Sequence, residues 1–161
     1  MWLLPCRTIS MYDRRLFEKV RYLEHSYYEA LSLWPILVAL AGSVYYIDDA
    51  LYYYNQTNEF SIMTVRDEKH LVLDKVFAHI FENITPEMNQ EVNLLVSALF
   101  IQSFWSSNVK YVPKDKLGDE YLERLKKVID GKLVGYYYLV DRLPVSDEMK
   151  RRMIHFYQTS K

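Results

Sequence analysis

The sequence predicts an all-α protein: a single compact bundle of five to seven helices around two buried apolar helices, at about 36–53 and 86–109. Three observations lead there. Apolar residues recur at helical spacing along most of the chain. Only four glycines and five prolines are present, too little punctuation for a many-stranded sandwich or barrel, which needs turn residues roughly every eight to twelve positions. Two runs, Ala30–Ile47 and Leu94–Trp105, carry no charge and are apolar on nearly every helical face, the pattern of helices at the centre of a bundle.

Taken in order, residues 1–10 read as a flexible N-terminal segment of one helical domain that covers 1–161. From Met11 to Trp34 the positions Leu16, Val20, Leu23, Tyr27, Leu31 and Trp34 form one helical stripe, with charged residues on the other side. Pro35 ends or kinks that helix, or starts the next. The apolar run then continues through Ile47, and Leu51, Tyr52 and Tyr53 extend its contact face beyond Asp48 and Asp49. A loop follows at residues 55–60. Thr64, with Asp67 three residues on, predicts the start of the next helix, with Leu73, Val76, Phe77, Ile80 and Ile84 facing inward.

Thr85 followed by Pro86 predicts an N-cap and first helical residue for the second apolar helix. Asp119–Asp130 is amphipathic, with Leu122, Leu125, Val128 and Ile129 inward, Glu120 and Arg124 paired at a spacing of four, and Gly131 as its stop. Residues 132–142 suit a short helix, while the β-branched and aromatic residues of KLVGYYYLV keep a strand open. Ser146 caps a last helix that places Met149, Met153 and Phe156 on one side.

The uncharged stretch at 30–47 also raises the question of a membrane span. It falls short of the roughly twenty residues a span needs, Pro35 interrupts it, and both flanks are acidic where anchoring Lys or Arg would be expected. A buried helix is therefore expected and a membrane partner is not. The single Cys6 excludes an internal disulfide framework and suits a cytoplasmic setting. The Tyr-rich, Gly-poor composition resembles that of small proteins of thermophilic archaea and their viruses.

Catalytic motifs are sparse. His25, His70, His79 and His155 form neither an HExxH nor a Glu-x-x-His pattern, and no glycine-rich phosphate loop or nucleophile elbow occurs. Arg21/His25, Arg66/His70 and Arg151/His155 share an Arg-x-x-x-His spacing, shorter than the pairing of helical ribonuclease toxins of the HEPN type, and are neighbours on a helix surface. No cofactor and no metal ligand set is expected. The alternative that keeps the histidines in play is a metal-dependent helical-bundle enzyme, whose ligands would come from separate helices.

Tyrosine is the distinctive feature, with 15 in the chain. They cluster as Tyr27-Tyr28, Tyr45-Tyr46, Tyr52-Tyr53-Tyr54 and Tyr136-Tyr137-Tyr138. Three consecutive helical residues span about 200° of the helix, so no single contact buries a whole triplet. Tyrosine joins a large ring to a polar handle, which suits it to interfaces. The charge is polarised: residues 35–112 hold four Lys/Arg against nine Asp/Glu, residues 113–161 eleven against eight. The expectation is a non-enzymatic interaction protein that binds itself or another macromolecule, a protein first of all, through Tyr52, Tyr53, Tyr54, Tyr136, Tyr137 and Tyr138 and through the basic Lys150, Arg151 and Arg152 of the last helix. Nucleic acid is a further candidate partner, because those cations lie beside Phe156 and Tyr157.

Overall fold

The computed structural model describes residues 10–53, 67–85, 89–109, 112 and 117–159. Among them there is no strand, and six α-helices pack together: α1 (Glu29–Leu40), α2 (Leu73–Asn83), α3 (Gln90–Ser103), α4 (Asp119–Ile129), α5 (Tyr136–Asp141) and α6 (Asp147–Gln158). Helix α1 packs on α2 and α3, α2 on α4, α3 on α5, and α5 on α6. Their buried side chains form one cluster, with Leu33, Ile36, Leu37, Phe77, Ile80, Phe100, Leu125 and Ile129 at its centre. The two apolar elements at the centre are α1 and α3, as an all-round apolar pattern requires.

The first of these lies earlier in the chain than the spacing predicts. Instead of one helix from 11 to 34 and another over 36–53, residues Arg14–Glu18 make a 3-10 turn, and α1 begins only at Glu29 and runs through Pro35 to Leu40. Tyr28, its N-cap, has φ 63°, and His25 has φ 54°, so the chain turns through left-handed backbone twice within four residues. Such backbone costs about 1–2 kcal/mol for each non-glycine residue, so other contacts must hold it. The stripe read as a continuous helix still meets the core, with Val20 buried and Leu16, Leu23 and Tyr27 half-buried, but it does so from a short 3-10 segment and the irregular chain and turns that follow it.

At the other end, the Ala41 N–H closes the helix on the Leu37 carbonyl at 2.9 Å, and residues 41–53 are non-helical. Gly42 and Ser43 follow the last turn directly, and Val44-Tyr45-Tyr46-Ile47 is β-branched and aromatic, a composition that loses side-chain freedom in a helix. With twelve residues, α1 is about 18 Å long, against a bilayer core of about 30 Å. No helix among the described residues is long and apolar enough to cross a membrane.

Elsewhere the local signals are closer. The Thr64 start lies outside the described residues; Asp67 caps a 3-10 turn, Glu68–His70, that leads into α2. The second apolar helix is capped by Asn89 rather than Thr85: the Asn89 carboxamide oxygen accepts from Glu91 N at 2.8 Å and Val92 N at 3.2 Å. A π-helical turn, Phe104–Asn108, continues α3. Phe104 stacks on Phe100 with ring centres 5.8 Å apart and on Phe156 of α6 at 4.7 Å, which ties the last helix to the central one. Residues 136–141 are helix, not strand. Their start is set by Gly135 at φ 67°, left-handed backbone that favours glycine; an added Cβ would lie 2.5 Å from Leu94 Cδ2 and push that side chain aside. Ser146 caps α6 by accepting from Met149 N at 3.3 Å.

Candidate interaction surface

The segment that leaves α1 carries most of the exposed large apolar side chains among the described residues. From Gly42 to Tyr53 the chain is an irregular arm whose residues are all exposed: Val44 at 68%, Tyr45 at 87%, Leu51 at 76% and Tyr53 at 89%. Tyr46, Ile47 and Tyr52 are at least half exposed. Two apolar-Tyr-Tyr groups, Val44-Tyr45-Tyr46 and Leu51-Tyr52-Tyr53, flank the acidic pair Asp48-Asp49. Local bonds shape the middle: the Leu51 N–H donates to the Asp49 carbonyl at 2.9 Å, and the Tyr46 hydroxyl donates to Asp48 Oδ1 at 3.1 Å. Contiguous apolar surface of this kind marks contact sites, and tyrosine supplies area at a low cost in side-chain freedom.

The named tyrosines divide. Tyr52 and Tyr53 belong to this arm, and Tyr54 lies outside the described residues. Tyr136 is not a surface residue. It is buried to 1%, its ring lies 4.4 Å from that of Tyr157, and its hydroxyl donates to the Met153 carbonyl at 3.2 Å. Burial pushes its phenol up to about 12. Tyr137 and Tyr138, on the next two helical positions, face outward. That division follows from the roughly 100° step of a helix, which lets one member of a triplet face the core. The Arg142 guanidinium lies over the Tyr138 ring, 3.7 Å from its centre.

The basic last helix is only partly free. Lys150 is half-buried and donates through Nζ to the Asp141 carbonyl, which ties α6 to α5. Arg151 and Arg152 are exposed and have no acidic partner among the described residues. The face of α6 that carries Met153 and Tyr157 is buried against α5, which leaves the two arginines outward.

The histidines take three different environments. His25 and His155 are exposed, His79 is half-buried on α2, and His70 is fully buried. Among the described residues no three His, Cys, Asp or Glu side chains come together as a metal-binding group. His70 instead holds the strained turn: the Tyr28 hydroxyl lies 2.6 Å from its Nδ1, and the Tyr27 ring meets the imidazole edge-on at 5.4 Å. Next to it, Asp74 in the first turn of α2 is buried and accepts from Arg124 Nε at 2.9 Å, while Arg124 Nη1 donates to Glu120 at 2.9 Å. The Asn108 carboxamide donates to the Tyr121 hydroxyl, and burial, with Asp74 nearby, pushes that phenol upward. The chemistry of this cluster is mutual hydrogen bonding between α1, α2, α4 and the π turn.

Sequence reasoning places Val44, Tyr45, Tyr46, Ile47 and Leu51 on a helix rather than on an exposed arm. Gly42-Ser43 before a β-branched, aromatic run was the available signal that the helix stops. The Tyr28–His70 contact spans 42 residues and leaves no local pattern. No protein-family model, curated protein or solved structure matches the chain.

Proposed function

We propose that this protein is a non-enzymatic helical interaction protein, which binds itself or another macromolecule through exposed tyrosines and the arginines of its last helix. The arm carries this reading. A chain that buries Phe77, Phe100 and Tyr136 completely leaves Tyr45, Leu51 and Tyr53 more than three-quarters exposed, in a segment with no regular structure. Fully burying one large apolar side chain stabilises by about 1.5–3 kcal/mol, so a partner that covers three of them gains several kcal/mol before the cost of ordering the arm. Extended segments also offer free backbone N–H and C=O groups to a partner. A chain with one cysteine suits the reducing cytoplasm as the place of that encounter.

The test compares the wild type with a Tyr45→Ser/Tyr52→Ser/Tyr53→Ser variant, using light scattering and affinity recovery from an extract of the source cells. The expected outcome is association or a recovered macromolecule with the wild type and its loss with the variant. A wild type that stays monomeric and recovers nothing would overturn the reading, as would a variant that behaves identically.

A further inference from the structure

We infer that the arm's occupant is a second copy of this chain, with Asp48 and Asp49 of one copy seated against Arg151 and Arg152 on α6 of the other. This deepens the reading of the arm as an interaction surface and rests on it. From Gly42 to Tyr53 the arm carries two acids and no base. Asp48 accepts from Tyr46 within the arm, and the Asp49 carboxylate has no partner among the described residues. The complementary charge is present in the same molecule. Arg151 and Arg152 point outward without an acidic partner among the described residues, and the packed α5 adds exposed Tyr137 and Tyr138 with Arg142 over the Tyr138 ring.

Both surfaces are exposed in one copy, so neither covers the other within the chain. The charge pattern of the whole sequence has the same sense: −5 over residues 35–112 and +3 over residues 113–161, from four bases against nine acids and eleven against eight. Opposite patches on one molecule steer copies together head to tail or about a twofold axis. Pairing two arms with each other is disfavoured. An antiparallel match that sets Tyr45 against Tyr52 brings Asp48 opposite Asp49, and like charges across a strand pair repel. Against α6, the same two acids meet guanidinium groups, whose paired N–H groups donate to a carboxylate as a fork. Tyr45, Tyr52 and Tyr53 then meet the exposed edges of Tyr137 and Tyr138 on α5, which are 41% and 56% exposed.

Sedimentation velocity over a wide concentration range, at low and high salt, tests this on the full chain. Four proteins suffice: wild type, Asp48→Lys/Asp49→Lys, Arg151→Glu/Arg152→Glu, and the variant with all four changes. Every altered side chain is exposed, and circular dichroism checks that each variant is folded. The wild type is expected to gain mass with concentration and to associate at least about tenfold more weakly at high salt. Each paired reversal is expected to weaken association by at least about tenfold, and the fourfold variant to restore it. A wild type that stays monomeric throughout overturns the inference, and so does a reversal that leaves association unchanged or a fourfold variant that fails to recover. If that monomeric wild type still recovers a different macromolecule that the tyrosine variant loses, the binding reading stands without self-docking; if it recovers nothing, both fall.

Discussion

Tyr28 reaches a fully buried imidazole through its hydroxyl, at 2.6 Å from His70 Nδ1, whereas Tyr45, first of the next Tyr-Tyr pair, is 87% exposed. The two pairs flank the same helix, Tyr27-Tyr28 at its entry and Tyr45-Tyr46 beyond its exit. What separates them is the surface each can reach. At the entry, the 3-10 turn before α2 brings up an imidazole ring and a nitrogen that hydrogen-bonds the hydroxyl, so both the apolar body and the polar tip of Tyr28 are satisfied. At the exit, Gly42 and Ser43 take the chain away from the bundle, and the tyrosines keep their rings in water. The triplet at 136–138 shows both outcomes within one helical turn. Tyrosine content therefore marks neither core nor interface by itself; the reachable hydrogen-bonding partner and the packed neighbour decide.

The contrast breaks most visibly at its buried end. Tyr136→Ala removes a ring held between α5 and α6, and a loss of about 3–5 kcal/mol in urea-induced unfolding is expected from comparable aromatic truncations. Loss of the α6 packing is the expected structural consequence, read as lower amide protection in Asp147–Gln158.

Alkaline pH acts on the same residue more gently. The Tyr136 phenol is raised from 10.0 to about 12 by burial, so its contribution is fully present below pH 10 and is lost as pH rises through about 12. The part of the stability loss due to Tyr136 over that window is on the order of 2–3 kcal/mol. Tyr136→Phe, less stable at neutral pH for want of the bond to the Met153 carbonyl, is expected to fall less steeply above pH 10; an equal slope in urea titrations across that range would refute the assignment.

Tyr28→Phe tests the latch at the helix entry. Deleting the hydroxyl leaves a buried imidazole nitrogen without this partner beneath a strained turn, and about 1–3 kcal/mol of destabilisation is expected in thermal or urea unfolding. A neutral result would mean that this hydrogen bond does not hold the left-handed turn.

The smallest effect belongs to the arm. Tyr53→Ser is expected to change unfolding free energy by no more than about 0.5 kcal/mol, since an exposed side chain loses little when shortened. Scanning Tyr28, Tyr45, Tyr53 and Tyr136 in one unfolding series therefore orders the tyrosines by the contacts they make rather than by their number in the sequence.

Much of the fold was legible in the chain, because periodicity records which face of each helix must be buried. Leu125 and Ile129 of α4, Phe77 and Ile80 of α2, and the Ser146 cap of α6 sit where their spacing places them. The paired Glu120 and Arg124 also meet as their spacing of four requires. The boundaries of α1 were not legible. An uncharged run reports that a segment avoids water in part, but it does not report where the helix within it begins and ends. Val44, Tyr45, Tyr46 and Ile47 continue the uncharged run after the helical backbone has stopped at Leu40.

By itself, then, the sequence determined an all-helical protein with a central apolar pair, a polarised charge and clustered tyrosines, since all of these follow from residue type and local spacing. Only the tertiary structure decided which tyrosines are core, which hold His70 and which stand in water. That choice depends on groups far apart in the chain, such as Tyr28 and His70 or Tyr136 and Met153, being brought within hydrogen-bonding distance, and local sequence carries no record of it.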